Sequence, residues 1–303
     1  MKTQPGQPES LAIVIVDSGM GGLSICAEIA SGLSEKRSFR QVDLTYFNAW
    51  PEQNRGYNAL PGMAERIRVF NSALLAIERL APDIILIACN TLSILYPQTP
   101  FAAAARVPVV GIIDFGVEMA YEQLQHYPES QAIILGTLTT IETRTHAIAL
   151  INKGIDPERI IGQPCDQLAT KIESGPESAV VSQMIDRFIR EAAGKVRPQA
   201  TPVFAVFGCT HYGYSRGLFE TSLKRHIGNH TRIINPNTAM SHHLLDRYRP
   251  GVVAETGVQV RVVSRIIWRD EMVNAISASL LAVSPPTAEA LRNYQPDPNL
   301  FAV

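Results

Sequence analysis

Lysine is scarce in this 303-residue chain: there are six, Lys2, Lys36, Lys153, Lys171, Lys195 and Lys224. None follows an apolar strand-like run, so the Schiff-base lysine that a pyridoxal cofactor requires has no candidate. Long apolar runs are missing too. Stretches such as residues 84–88 and 203–207 fall far short of the roughly 18 residues of a membrane span. Charged residues make up only 18% of the chain, and the formal net charge is -1. With no basic run and no aromatic-and-basic stripe, nothing points to a nucleic-acid partner. The first ten residues are polar, hold two prolines and lack the basic start and apolar stretch of a signal peptide. They read as a loose tail. The four cysteines, Cys26, Cys89, Cys165 and Cys209, form no C-x-x-C pair, which argues against a structural zinc site. Reduced thiols in the cytoplasm are the expectation.

Hydrophobic residues make up 46% of the chain, enough for a packed globule. Strand-like and helix-like segments alternate, which predicts an α/β fold with mostly parallel strands. The strand candidates are residues 12–16, 43–47, 83–88, 107–113, 132–135, 159–162, 202–207 and 231–234. Helical periodicity marks residues 63–80 and 179–193. The tail from residue 249 carries no clear pattern. Two units look alike. Residues 83–91 run Asp-Ile-Ile-Leu-Ile-Ala-Cys-Asn-Thr, and residues 203–211 run Val-Phe-Ala-Val-Phe-Gly-Cys-Thr-His. Each is an apolar strand followed by Cys and a small polar residue, and the cysteines lie 120 positions apart. This fits two related halves, each offering one thiol at the carboxyl end of a strand, where open α/β sheets bind ligands.

Three motifs carry chemistry. Asp17-Ser18-Gly19-Met20-Gly21-Gly22-Leu23-Ser24 lies between a strand and a helix. Its glycines permit a close approach to a ligand, and free amides at the helix start would favour an anion such as a carboxylate. The rival reading is a dinucleotide fingerprint, but Ser24 stands where the third glycine should be; a purely structural turn is the bland one. In Cys89-Asn90-Thr91 the thiol sits at the expected start of a helix. That position should lower its pKa, although a buried strand cysteine is more often inert. In Gly208-Cys209-Thr210-His211-Tyr212 the thiol and His211 suit either a hydrolase nucleophile with its base or a thiol base with its helper. Neighbours so close in sequence often point apart.

The remaining features are weaker. Residues 136–140, Gly-Thr-Leu-Thr-Thr, offer hydroxyl and amide donors or a plain helix cap. Glu173 sits near a helix end, where a surface role is the default. His242, His243 and Asp246 read as a solvated helix face rather than metal ligands. Cys26 and Cys165 default to packing.

Together the three motifs resemble the glutamate racemase family, within the aspartate/glutamate racemase superfamily. Residues 17–23, 88–91 and 208–212 match its Asp-Ser-Gly-x-Gly-Gly-Leu, Ala-Cys-Asn-Thr and Gly-Cys-Thr-His-Tyr motifs in order. The resemblance implies a cytoplasmic isomerase of peptidoglycan and cell-wall synthesis that makes D-glutamate without cofactor or metal. It implies two similar doubly wound domains, residues 1–113 with 230–303 and residues 114–229, and a site in the cleft between them. Cys89 and Cys209 would be the two bases, with Asp17, His211 and Glu173 assisting. Ser18, Tyr57, Asn58, Asn90, Thr91, Thr139 and Thr210 would hold the substrate. The expected partner is a small amino acid, with no nucleic acid and no membrane; a homodimer is left open. A racemase of aspartate or a hydantoin, a superfamily decarboxylase or isomerase, and a non-catalytic binder of acids are the alternatives. The chain departs from the family in its second-strand loop, with Asn48-Ala49-Trp50 for Gly-Asp and Asn58 for the glycine after Tyr57. Gly213 replaces a proline, and Asn235-Pro236 replaces Asp-Pro. These changes bear on the substrate more than on the thiols.

Overall fold

A computed structural model describes residues 9–303, so the expected loose tail lies, as far as residue 8, outside the described residues. Ten strands form two sheets: β1 Ser10–Asp17, β2 Gln41–Asn48, β3 Ile84–Ile87, β4 Val109–Gly111, β5 Gln131–Gly136, β6 Ile160–Pro164, β7 Val203–Gly208, β8 Thr231–Ile234, β9 Gly257–Ser264 and β10 Gln295–Pro296. The first sheet runs β10-β9-β2-β1-β3-β4 and the second β6-β5-β7-β8. Every strand pair is parallel.

Strands buried on both faces read as continuous apolar runs, and β3 and β7 are buried throughout for this reason. The period-2 geometry of a strand divides β1 between two cores. Ile13 and Ile15 pack with the helix Leu23–Lys36, while Val14 and Val16 pack with the helix Gly62–Glu78. In β5, Ile133 and Leu135 face one core, and Ala132 and Ile134 the other. Helices therefore cover both faces of each sheet, the doubly wound α/β arrangement that alternation predicts.

All eight expected strands form, with ends shifted by a few residues. The tail from residue 249 is structural. It supplies β9, which pairs along the whole of β2, and the helices Asp270–Leu281 and Pro285–Arg292. Phe301 closes over Phe47 with ring centroids 5.9 Å apart. The sequence reading passes over β9, although Val258, Gln259, Val260, Arg261 and Val262 alternate apolar and polar as a half-buried strand does. β8 pairs with β7 and so joins the second sheet, although the sequence reading set residues 230–303 with the first.

The orders β2-β1-β3-β4 and β6-β5-β7-β8 are the same pattern used twice. In each, the chain leaves the central strand to one side and returns on the other, which opens a crevice at the carboxyl ends of β1 and β3, and of β5 and β7. Cys89 follows β3 and Cys209 follows β7, at equivalent points.

Candidate active site

A cavity of about 520 Å³ receives residues from the carboxyl ends of both sheets, including Asp17, Cys89, Thr137 and Cys209. Its size is that of a small-molecule site. Both thiols line it, and each is 7% exposed.

The two thiols have different surroundings. Cys89 has extended backbone and begins the helix Asn90–Leu95. Its Sγ lies 3.1 Å from Ser18 Oγ. Burial, and then the Asp17 carboxylate, push its thiol up to about 12, against the pull of the Ser18 hydroxyl and nearby amides. The expected lowering by the helix start is therefore reversed: a six-residue helix has little dipole to offer against complete desolvation.

Cys209 is also extended and leads into the tight helical turn Thr210–Ser215. Its Sγ meets His211 Nδ1 at 3.5 Å, so these near neighbours do point together. His211 Nε2 lies 2.7 Å from Glu173 Oε1. Burial draws the His211 pKa down, but Cys209 and Glu173 outweigh it and hold the imidazole well above its ordinary range. Glu173 is only 5% exposed, so the default surface role is wrong. The helix Leu168–Ser174 turns it inward, beneath His211.

The glycine motif works differently from its first reading. The amides at the helix start are already engaged by protein carboxylates. Met20 N donates to Glu173 Oε1 at 2.7 Å, and Gly22 N donates to Asp17 Oδ2 at 2.7 Å. This disposes of a bound pyrophosphate, which would face two carboxylates. The close approach that needs glycine is to the second half of the protein. A Cβ on Gly21 would lie 2.5 Å from His211 Nδ1, and one on Gly19 2.7 Å from Glu173 Oε1. Thr210 Oγ1 completes the junction by donating to Asp17 Oδ2 at 2.9 Å.

Asp17 is 1% exposed, and burial raises its pKa against the pull of His211. Its Oδ1 has no partner among the described residues; nor do the Tyr57 hydroxyl or either amide atom of Asn90. All three residues line the cavity. Unpaired buried polar atoms each cost about 1–3 kcal/mol, so their gathering around one cavity marks a place where a polar ligand completes the bonding.

Ser18, Tyr57, Asn58, Asn90, Thr91 and Thr210 all reach the cavity. Thr139 does not: it turns away, accepting from Arg66 Nη1 at 2.8 Å and donating to Asn58 Oδ1 at 2.5 Å. Thr137 takes the lining position, 3.1 Å from Thr91. It also caps the helix Leu138–Glu142, a role the strand-Gly-Thr pattern offered. Cys165 lines the cavity as well, while Cys26 is packed in the core. The segment 266–269 and Trp50 form an outer wall that no sequence signal announced. Gly56 lies against the Trp50 ring, where a Cβ would come within 2.5 Å. Asn48 ties this loop to the tail by donating to Ser264 Oγ at 2.9 Å. Asn235 caps the helix Pro236–Leu245, serving structure where the family has Asp. His242 and His243 are exposed, and no metal-binding cluster occurs among the described residues.

A profile of the Asp/Glu/hydantoin racemase family matches residues 56–243. The glutamate racemase of Campylobacter jejuni is 26% identical over 238 residues, covering 78% of this chain and 86% of the relative. That of Stutzerimonas stutzeri is 29% identical over 242 residues, covering 76% and 79%. Among solved structures, Campylobacter jejuni glutamate racemase superposes with a TM-score of 0.64 at 23% identity, over 89% of this chain and 98% of the other. The Francisella tularensis enzyme in complex with D-glutamate gives 0.64 at 18% identity, over 90% and 94%. The doubly wound fold is thus shared with these racemases, and the match over residues 56–243 shows the chain to be a member of the Asp/Glu/hydantoin racemase family.

Proposed function

We propose that this chain interconverts L- and D-glutamate without a cofactor: one of Cys209 and Cys89, as thiolate, takes the α-proton from one face, and the other, as thiol, delivers its own proton to the opposite face. The observation that carries this reading is the pair of buried thiols at equivalent strand ends of two sheets, lining one cavity. The residues 1–113 and the tail after β8 are read as one domain, and the segment between as the other, with substrate held in the cleft.

The surroundings of the thiols support a division of labour. A charged His211 beside Cys209 favours the thiolate, and Glu173 steadies the imidazolium. Cys89, pushed up to about 12, is held as a thiol and is the proton donor for that direction. Once its proton has passed to the α-carbon, Ser18 supports the thiolate at 3.1 Å. The neighbouring Asp17 charge then makes Cys89 a strong base for the reverse direction. The carbanion-like state needs hydrogen-bond donors aimed at the substrate carboxylate. Asn90, Thr91 and Tyr57 suit this role, while the Thr210 hydroxyl is already given to Asp17 Oδ2, and the free Asp17 Oδ1 suits an ammonium group. Glutamate is preferred over aspartate because the relatives named above are glutamate racemases. All four cysteines are free, which fits a reducing cytoplasm, where D-glutamate would serve peptidoglycan synthesis.

The test is incubation with each enantiomer of glutamate and aspartate in deuterated water without added cofactor. Chiral analysis of the product should show deuterated D-glutamate formed from L-glutamate and the reverse. Cys89→Ala and Cys209→Ala should each abolish racemisation while retaining exchange from one enantiomer. Two-way racemisation by either variant refutes the two-thiol reading.

A further inference from the structure

A second cavity, of about 230 Å³, lies in the second sheet's half, away from both catalytic candidates. Its walls are apolar, with Ile134 from β5, Ile160 from β6, and Ile141 and Ile151 from the helices above. Into this wall the helix Thr145–Asn152 sets His146, which is 2% exposed. Neither ring nitrogen of His146 has a hydrogen-bond partner among the described residues. A neutral imidazole carries one donor and one acceptor, and leaving both unmet inside a protein is costly. Gly116 of the helix Ile113–His126 lies beside the ring: a Cβ there would be 3.9 Å from His146 Cδ2. His146 is one of the residues that line this cavity, so a ligand held there is a candidate for the missing partners. The side chain of Arg144, exposed at the rim, has no ion pair or hydrogen bond among the described residues. It sits at φ 54° just before the helix, a left-handed conformation that a non-glycine side chain adopts only under constraint.

We propose that this cavity binds a small monocarboxylic acid with an apolar, benzene-sized body, its head group hydrogen-bonded by His146 and paired with Arg144, and that occupancy is transmitted to the racemisation cavity. An apolar cavity of about 150 Å³ suffices for benzene, so the space holds a ring and a carboxylate. The route of transmission is short. Thr140 lines the second cavity, and its hydroxyl lies 3.1 Å from Thr137 Oγ1. Thr137 Oγ1 is in turn 3.1 Å from Thr91 Oγ1, and both Thr137 and Thr91 line the first cavity.

The experiment titrates benzoate, and separately benzamide, into the full chain while the His146 ring and the Thr137 and Thr91 amides are followed by NMR. Saturable movement of His146 is expected, with benzoate bound at about 1 mM or tighter. The Thr137 and Thr91 signals should move with the same saturation curve. Arg144→Ala, a surface change that leaves the fold alone, should weaken benzoate about tenfold and leave benzamide unchanged. Ala147→Phe, which fills the cavity from its own helix, should abolish the movement of His146. The proposal is overturned if His146 does not respond, if the response survives Ala147→Phe, if Arg144→Ala weakens both probes alike, or if Thr137 and Thr91 stay still while His146 saturates. None of these readouts depends on glutamate being the substrate.

Discussion

Replacing Glu173 by Gln isolates one charge in the site. Glu173 Oε1 receives two donors, His211 Nε2 at 2.7 Å and Met20 N at 2.7 Å. Because the Met20 amide can only donate, it holds an oxygen at that point, and the carboxamide oxygen of Gln should occupy it. The imidazole then keeps its orientation and tautomer, and only the negative charge is lost. A hydrogen bond to a charged group contributes about 1.5–3 kcal/mol against about 1 kcal/mol for a neutral pair. The difference of about 0.5–2 kcal/mol corresponds to a ~2–30-fold fall in kcat/KM and a downward shift of the His211 pKa. The sign follows from the direction of the present shift. His211 is held above its ordinary range, so the imidazolium persists as pH rises until that raised value is passed. Removing a group that raises it moves the alkaline limb of the rate profile to lower pH. The assay is racemisation of D-glutamate followed by circular dichroism from pH 6 to pH 10, with solvent deuterium uptake as a second readout. An unchanged alkaline limb would show that His211 does not draw its charge from Glu173, whatever the rate.

Other consequences can be checked together. Gly21→Ala forces a Cβ to within 2.5 Å of His211 Nδ1, so activity should fall at least tenfold and stability by about 1–3 kcal/mol; activity within twofold of the parent in urea-matched assays refutes the close docking. Cys26 and Cys89 are both pushed up to about 12 by burial, from an ordinary 9.0. Their raised folded-state values mean stability is whole below pH 9 and drains as pH climbs towards 12, by about 1.4 kcal/mol per pH unit for each thiol. Urea titrations from pH 8 to pH 11 measure that slope, and Cys26→Ala should reduce it by one thiol's share. Phe301→Ala removes a buried ring from Phe47 and should lower stability by about 3–5 kcal/mol; a change below 1 kcal/mol in chemical denaturation would show the tail end to be dispensable.

Much of this was legible in the sequence because the parallel core strands are apolar on both faces. Residues 84–87 and 203–208 could not lie elsewhere than in buried strands, so the positions of Cys89 and Cys209 at strand ends followed. The role of Glu173 was not legible from its own segment. It depends on the helix Leu168–Ser174 packing under residues 210–215, a tertiary fact with no local signal. The thiol environment was misread for a related reason. A helix start can be seen in sequence, but complete desolvation and an Asp brought from β1 cannot, and these dominate. Thr137 against Thr139 was a choice of face that only the helix cap decides. The outer wall from segment 266–269 was hidden because the segment carries no motif of its own, and only the pairing of β9 with β2 brings it to the cavity.

The glycine loop has a consequence for the timing of turnover. Met20, Gly19 and Gly21 belong to the first sheet's half, yet they rest on Glu173 and His211 of the second. Any swing of the halves that lets an amino acid in or out must lift this loop. Lifting it removes the Met20 amide from Glu173 and separates Thr210 from Asp17. Water then reaches the imidazole while its carboxylate partner loses a donor. Each opening of the molecule is thus also an occasion for His211 to exchange its proton with solvent, and each closure fixes the number of protons sealed in with the substrate. On the proposed two-thiol mechanism, the loop thereby ties product departure to the resetting of the protons on Cys89 and Cys209.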